Sequence, residues 1–132
     1  MPDSELTISQ MCAAFGVTPR TLRFYESKEL LAPRRIGQRR FYGRRDRARL
    51  TLILRGKRFG FSLEEIRRLL DIYDDDGGPE RQALEILRAA HAHLAELQAR
   101  RAELDEVVAD LRTRIAEGEA MLDGLQSRAA AE

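Results

Sequence analysis

The 132-residue chain has one cysteine, no tryptophan, only two lysines and no long apolar run, and each shortage removes a class of protein. A lone Cys12 cannot close an intramolecular disulfide. The opening MPDSELTISQ has no basic stretch followed by an apolar one, so a reducing cytoplasm is expected rather than secretion. No segment approaches the roughly 20 apolar residues needed to cross a bilayer, so no membrane partner is expected. Aromatics are 6% and charged residues 34% of the chain, which suits a helical protein with a thin core and long solvated faces, not a strand-rich fold. The inventory also lacks a phosphate-binding glycine loop, a nucleophile paired with a base, and a cluster of metal ligands. An enzyme, a cofactor and a metal site are therefore not expected. Cys12 reads as a small core residue, and His91 and His93, two apart on a helix, point away from each other.

What the chain does have is charge segregated by sign. Residues 1–70 hold 16 basic and 7 acidic residues, net +9, and residues 71–132 hold 7 basic and 15 acidic, net −8. A basic N-terminal half suits a polyanion. All but Lys28 and Lys57 of the whole chain's 23 basic residues are arginine; the planar guanidinium suits phosphates and guanine edges, although a GC-rich genome gives the same excess.

Local signals set the element order. Thr7-Ile8-Ser9-Gln10 reads as a capping box opening a helix that Gly16 stops, with Ile8, Met11, Cys12 and Phe15 on its apolar side. Thr18-Pro19 then caps and starts a second helix to about Lys28. Two short helices across a glycine turn, the second one basic, have the shape of a helix-turn-helix. Pro33 to Tyr42, with Gly37, four arginines and an aromatic pair, reads as a small hairpin or loop, the shape of a wing. A third helix spans about 44–59 and ends at Gly60, and a fourth opens at Ser62-Leu-Glu-Glu65 and runs to about Tyr73. Residues 74–79 have the carboxylates but not the spacing of a calcium loop, so 75–79 reads as a linker.

From Glu80 onward helix formers dominate. Steps of three and four from Leu87 pass through Leu94, Leu97, Leu104, Val108, Leu111, Ile115, Leu122 and Leu125, interrupted by Ala90, Arg101 and Gly118. An isolated helix cannot bury such a seam, so residues 80–127 are expected to pair, most simply with the same helix of a second copy, leaving 128–132 as a disordered tail.

Taken in order, Thr7-Ile-Ser-Gln10, Phe15-Gly-Val-Thr18, Arg20-Thr-Leu-Arg-Phe-Tyr-Glu26, Leu30-Leu31, Arg40-Phe-Tyr42 and Leu54 to Ile66 resemble the N-terminal domain of the MerR family of bacterial transcription regulators over about residues 5–74. The resemblance implies a mainly α fold, a winged helix-turn-helix DNA-binding domain followed by a long C-terminal dimerisation helix in an antiparallel coiled coil. It also implies a homodimer on a palindromic double-stranded operator inside a promoter spacer, distorting that DNA in response to an effector and so acting on RNA polymerase through the promoter. No residue pattern identifies the effector. Relatives sense metals or oxidants through cysteines at and beyond the end of the long helix; this stretch of the present sequence has none.

With Leu22 at the centre of the inward face, Tyr25 falls close to it, Arg20, Phe24 and Ser27 fall opposite, and Arg23 lies on the flank. Arg20 and Thr21 are then expected at base edges, and Arg23 and Tyr25 at phosphate, the tyrosine with its ring inward and its hydroxyl outward. Phe24 stands where many relatives have tyrosine, so packing is expected there. The resemblance adds Arg40 and Tyr42 of the wing and Lys57 of the third helix, and Thr18 and Arg39 complete the expected DNA-contact set. Arg34, Arg35, Arg44, Arg45, Arg47 and Arg49 read as ordinary solvated charges, with a DNA contact the lesser alternative for each. The competing function is a coiled-coil adaptor whose basic head binds an acidic protein.

Overall fold

The structure is a computed structural model that describes residues 5–74 and 78–132. Its elements are β1 (Leu6–Thr7), α1 (Ile8–Phe15), α2 (Pro19–Ser27), β2 (Arg34–Ile36), β3 (Arg39–Tyr42), α3 (Arg44–Phe59), α4 (Leu63–Asp74) and α5 (Gly78–Ala131). They fall into two compact units, Met1–Leu87 and Arg88–Glu132.

Local chemistry sets the helix ends. Gln10 N donates to Thr7 Oγ1 at 3.2 Å while Thr7 N donates to Gln10 Oε1 at 2.8 Å, so the expected capping box forms. Thr18 caps α2 by accepting from Thr21 N, and Pro19 takes the first helical position, where it has no hydrogen bond to lose. α2 ends in a reciprocal cap: Glu29 N donates to Glu26 O and Leu30 N to Tyr25 O. That cap needs a left-handed residue, and Glu29 supplies it at φ 61°, a conformation usually left to glycine. Ser62 Oγ accepts from Glu65 N and opens α4.

The wing is a three-stranded antiparallel sheet in the order β1-β3-β2. Of the hairpin or loop expected here, the β2-β3 hairpin forms; β1, with Leu6 opposite Tyr42, was not expected. Met11, Leu22, Leu30, Tyr42, Leu50 and Ile53 are fully or almost fully buried between the sheet, α1, α2 and α3, with Ile66 and Leu70 of α4 closing the core. α4 packs close against α3 at Gly56, where an added Cβ would lie 2.8 Å from Ile66 Cγ1. Two charged side chains complete this packing. Asp46 accepts from Ala32 N at 3.0 Å, and Arg49, 7% exposed, donates from Nε to Leu30 O at 2.7 Å, so both fasten the segment after α2 onto α3. Of the two readings open for Arg49, neither a solvated charge nor a DNA contact survives, because its guanidinium satisfies a buried carbonyl.

Three boundaries differ from expectation. The first unit continues past residue 74 to Leu87 because the start of α5 is tied to the end of α4: Gln82 Nε2 donates to the carbonyls of Leu69 (3.1 Å) and Leu70 (3.4 Å). Of the expected linker, 75–77 lie outside the described residues, whereas Gly78 and Pro79 are already helical. The expected tail at 128 is helix through Ala131, since Ala129 to Ala131 are strong helix formers with no capping residue before them.

The second unit is helix without a core. No residue of α5 is buried, and the seam residues keep between 41% exposure at Leu97 and 62% at Leu104. Among the described residues no helix is long and apolar enough to cross a membrane.

Candidate nucleic-acid interface

The basic residues of the first unit sort into cations that point outward and cations that are structural. On α2, Leu22 and Tyr25 are buried while Arg20, Arg23 and Phe24 are exposed, which is the division expected from the 100° helical step. Among the described residues neither Arg20 nor Arg23 is held by a carboxylate. Thr18 and Thr21 share a hydrogen bond between their hydroxyls at 2.9 Å, so both polar groups sit at the N-terminal end of α2 with their positions fixed. Phe24, 45% exposed, is wedged between Tyr25, with ring centres 5.9 Å apart, and the Lys28 ammonium, 5.6 Å from its ring centre.

The aromatic expectations divide. Tyr25 does turn its ring inward and keeps 6% of its surface, leaving little for a phosphate; burial raises its pKa above the usual 10. Tyr42 has to be corrected. Its side chain is fully buried, and its hydroxyl has no hydrogen-bond partner among the described residues, so in this conformation it cannot meet DNA. The cause is the unforeseen β1 pairing, which turns Tyr42 into the core opposite Leu6. Burial first, and then the Glu26 carboxylate, raise its pKa.

In the wing, Arg39 is exposed, and its guanidinium carbon lies 5.5 Å from the Phe41 ring centre, with that of Arg34 5.2 Å from the same ring. Arg34 also donates to Glu5 in a bidentate pair, which lowers the Glu5 pKa and raises its own. Arg40 is less available than expected: its Nε donates to Glu26 Oε2 at 2.7 Å. Lys57 is exposed in the last turn of α3, where a cation also suits the helix dipole. Glu26 was not among the expected site residues, and its neighbour-setting role has no signal in local sequence.

The arrangement is thus a helix with an arginine face beside an arginine-bearing hairpin, on a closed core. It has the form of a duplex reader: side chains at one end of a helix for base edges, flanking cations for phosphates. Among the described residues no group of three or more His, Cys, Asp or Glu side chains is placed to hold a metal.

Comparison with known proteins gives the same class. The family model for MerR HTH family regulatory proteins matches residues 6–72, and the one described as MerR, DNA binding, matches 47–114. The mercuric resistance operon regulatory protein of Pseudomonas fluorescens is 36% identical over 107 residues, covering 78% of this chain and 74% of that one. The transcriptional regulator CueR of Salmonella typhimurium is 30% identical over 105 residues, 75% of this chain and 76% of that one. Among solved structures, MtaN, the N-terminus of the Bacillus subtilis multidrug transporter activator, superposes with a TM-score of 0.65 at 28% identity, over 83% of this chain and 97% of that one. The chain belongs to the MerR family of helix-turn-helix transcriptional regulators. It is a DNA-binding regulator and not an enzyme, and the adaptor reading is not favoured.

Proposed function

We propose that the protein works in the cytoplasm as a homodimer that reads a two-fold symmetric operator within a promoter spacer and distorts it to control transcription. The observation that carries this reading is the exposed face of α2, where Arg20 and Arg23 have no carboxylate partner among the described residues, beside the exposed Arg39 of the wing. The exposed seam of α5 supplies the pairing surface for Leu87, Leu94, Leu97, Leu104, Val108, Leu111, Ile115 and Leu122. Two copies joined this way present two recognition helices to two half-sites. Arg20 and Thr21 read base edges. Arg23, Arg39 and Lys57 bind phosphate, with Phe24 packed along the groove wall and Thr18 holding the start of the helix.

A small-molecule effector shifts the balance between DNA conformations. Within these 132 residues the single sulfur of Cys12, half-buried against the core, does not build a thiolate site by itself.

The test is binding to a duplex that the protein itself selects from a randomised pool, against a scrambled duplex of equal composition. The selected duplex is expected to bind at least about a thousandfold tighter, with affinity falling steeply as salt rises. No enrichment over random DNA overturns the reading. Arg20→Ala is expected to relax discrimination at one base position per half-site by about 1–3 kcal/mol. Arg23→Ala is expected to weaken all duplexes alike and reduce the salt slope by about one.

A further inference from the structure

The hairpin of the wing contains an electrostatic fault. In the β2-β3 ladder Arg35 stands directly opposite Arg40, and like charges opposed across a strand pair destabilise it. The fault is repaired from outside the sheet. Glu26, in the last turn of α2, accepts from Arg40 Nε with Oε2 at 2.7 Å and lies 3.4 Å from Arg35 Nε with Oε1, so each carboxylate oxygen serves one strand. The inner pair is sheltered, with side-chain exposures of 21% for Glu26 and 18% for Arg40, and a short charge-assisted bond in that setting holds more firmly than a surface pair.

Glu26 is badly placed for any other purpose. A carboxylate in the last turn of a helix opposes the helix dipole, and α2 has no basic residue in that turn to balance it. An acid beside a DNA-reading face also repels phosphate. Both penalties fall on the same side chain, and what it gains is a joint between the two elements that are to touch DNA.

We infer that Glu26 is a positioning residue for DNA recognition, bolting the wing to the recognition helix through Arg35 and Arg40 so that both engage one half-site in a fixed register. The inference rests on the DNA-reading role proposed above. In this arrangement Arg40 serves as a strut whose charge is answered by Glu26, and Arg39 carries the outward charge of the wing.

The two roles open to an acid at this position predict opposite signs. If Glu26 is only a surface acid near DNA, its removal strengthens binding to every duplex. If it is the joint, Glu26→Ala lowers affinity for the selected duplex by about tenfold or more, while affinity for the scrambled duplex holds or rises, so that the ratio collapses. The experiment measures both affinities for the full chain, with sedimentation and thermal unfolding alongside, in Glu26→Ala, Glu26→Gln, Arg40→Gln and the Glu26→Gln/Arg40→Gln pair. Glu26→Gln, which keeps an acceptor for Arg40, is expected to recover part of the ratio. The double variant is expected to lose no more than the worse single one, because both singles break the same joint. Tighter binding to both duplexes with an unchanged ratio in Glu26→Ala overturns the inference, and so does simple additivity in the double variant. If Glu26→Ala does not fold, the Gln variants and their coupling decide alone. Failure of the wild type to prefer its selected duplex would instead refute the DNA-reading role itself, so the two failures are distinguishable.

Discussion

The first unit and the second solve the same problem in different ways. Residues up to Leu87 close a core around Met11, Leu22, Tyr42, Leu50 and Ile53, so their apolar groups are withdrawn from water within one chain. Residues 88–132 carry leucine, valine and isoleucine along one stripe, yet the large apolar side chains of that seam keep 41% or more of their surface. Both segments are helical, but only the first has neighbours to bury against. In proteins most helical stability comes from packing of the apolar face rather than from helix propensity. The head buries its own apolar groups, whereas α5 exposes a stripe that a second helix would have to cover.

The largest effect that would separate the two regions follows from breaking the seam. Leu104→Glu with Leu111→Glu places two charges mid-seam and is expected to turn a dimer into a monomer with little affinity for the selected duplex. Sedimentation checks it, and a monodisperse dimer contradicts it. Next is a lesion confined to the head. Gly56→Ala forces a Cβ toward Ile66 Cγ1 and Cδ1 and is expected to cost about 1–3 kcal/mol of head stability while leaving the seam untouched. Thermal unfolding followed with probes in each region would show it. A smaller effect of opposite sign is expected from Tyr42→Phe, which removes a buried hydroxyl without a partner and should stabilise the head by about 1 kcal/mol. The same substitution should leave DNA affinity unchanged, because the side chain is fully buried.

The smallest effect is on pH dependence. Tyr25 and Tyr42 both have pKa values raised above the unfolded value near 10 by burial. The folded state therefore holds these protons more tightly than the unfolded chain. The corresponding stability is fully present below about pH 10 and is lost as pH rises through the raised folded values. Tyr42→Phe should blunt that alkaline loss in a pH series of unfolding midpoints, and an unaltered profile would contradict the assigned burial.

Much of this was legible in sequence, and the reasons are local. The Thr7 capping box, the Thr18-Pro19 start and the glycines at 16 and 60 each act within a few residues, so the bounds of α1, α2 and α3 could be read directly. The seam was legible because a repeat of three and four is itself the pattern. What was hidden depends on distant neighbours. A two-residue β1 carries no pattern of its own, and with it went the burial of Tyr42. Asp46 and Arg49 look like the solvated charges around them, and only the path of residues 30–32 across α3 makes them structural. Glu29 has no glycine-like signature for the left-handed cap it forms. Of the candidate interface, the helical period placed Arg20 opposite the core and Arg23 on the flank, and Arg39 entered only as a member of the expected contact set, whereas the tether of Arg40 to Glu26 spans fourteen residues and needed the fold.

The claim that the head folds by itself and α5 only by pairing is tested most directly by amide hydrogen exchange on the Leu104→Glu/Leu111→Glu variant. Amides of α1 to α4 are expected to keep near wild-type protection while those between residues 88 and 127 lose nearly all of theirs. Retained protection along α5 in a monomer, or loss of protection in both regions together, would contradict it.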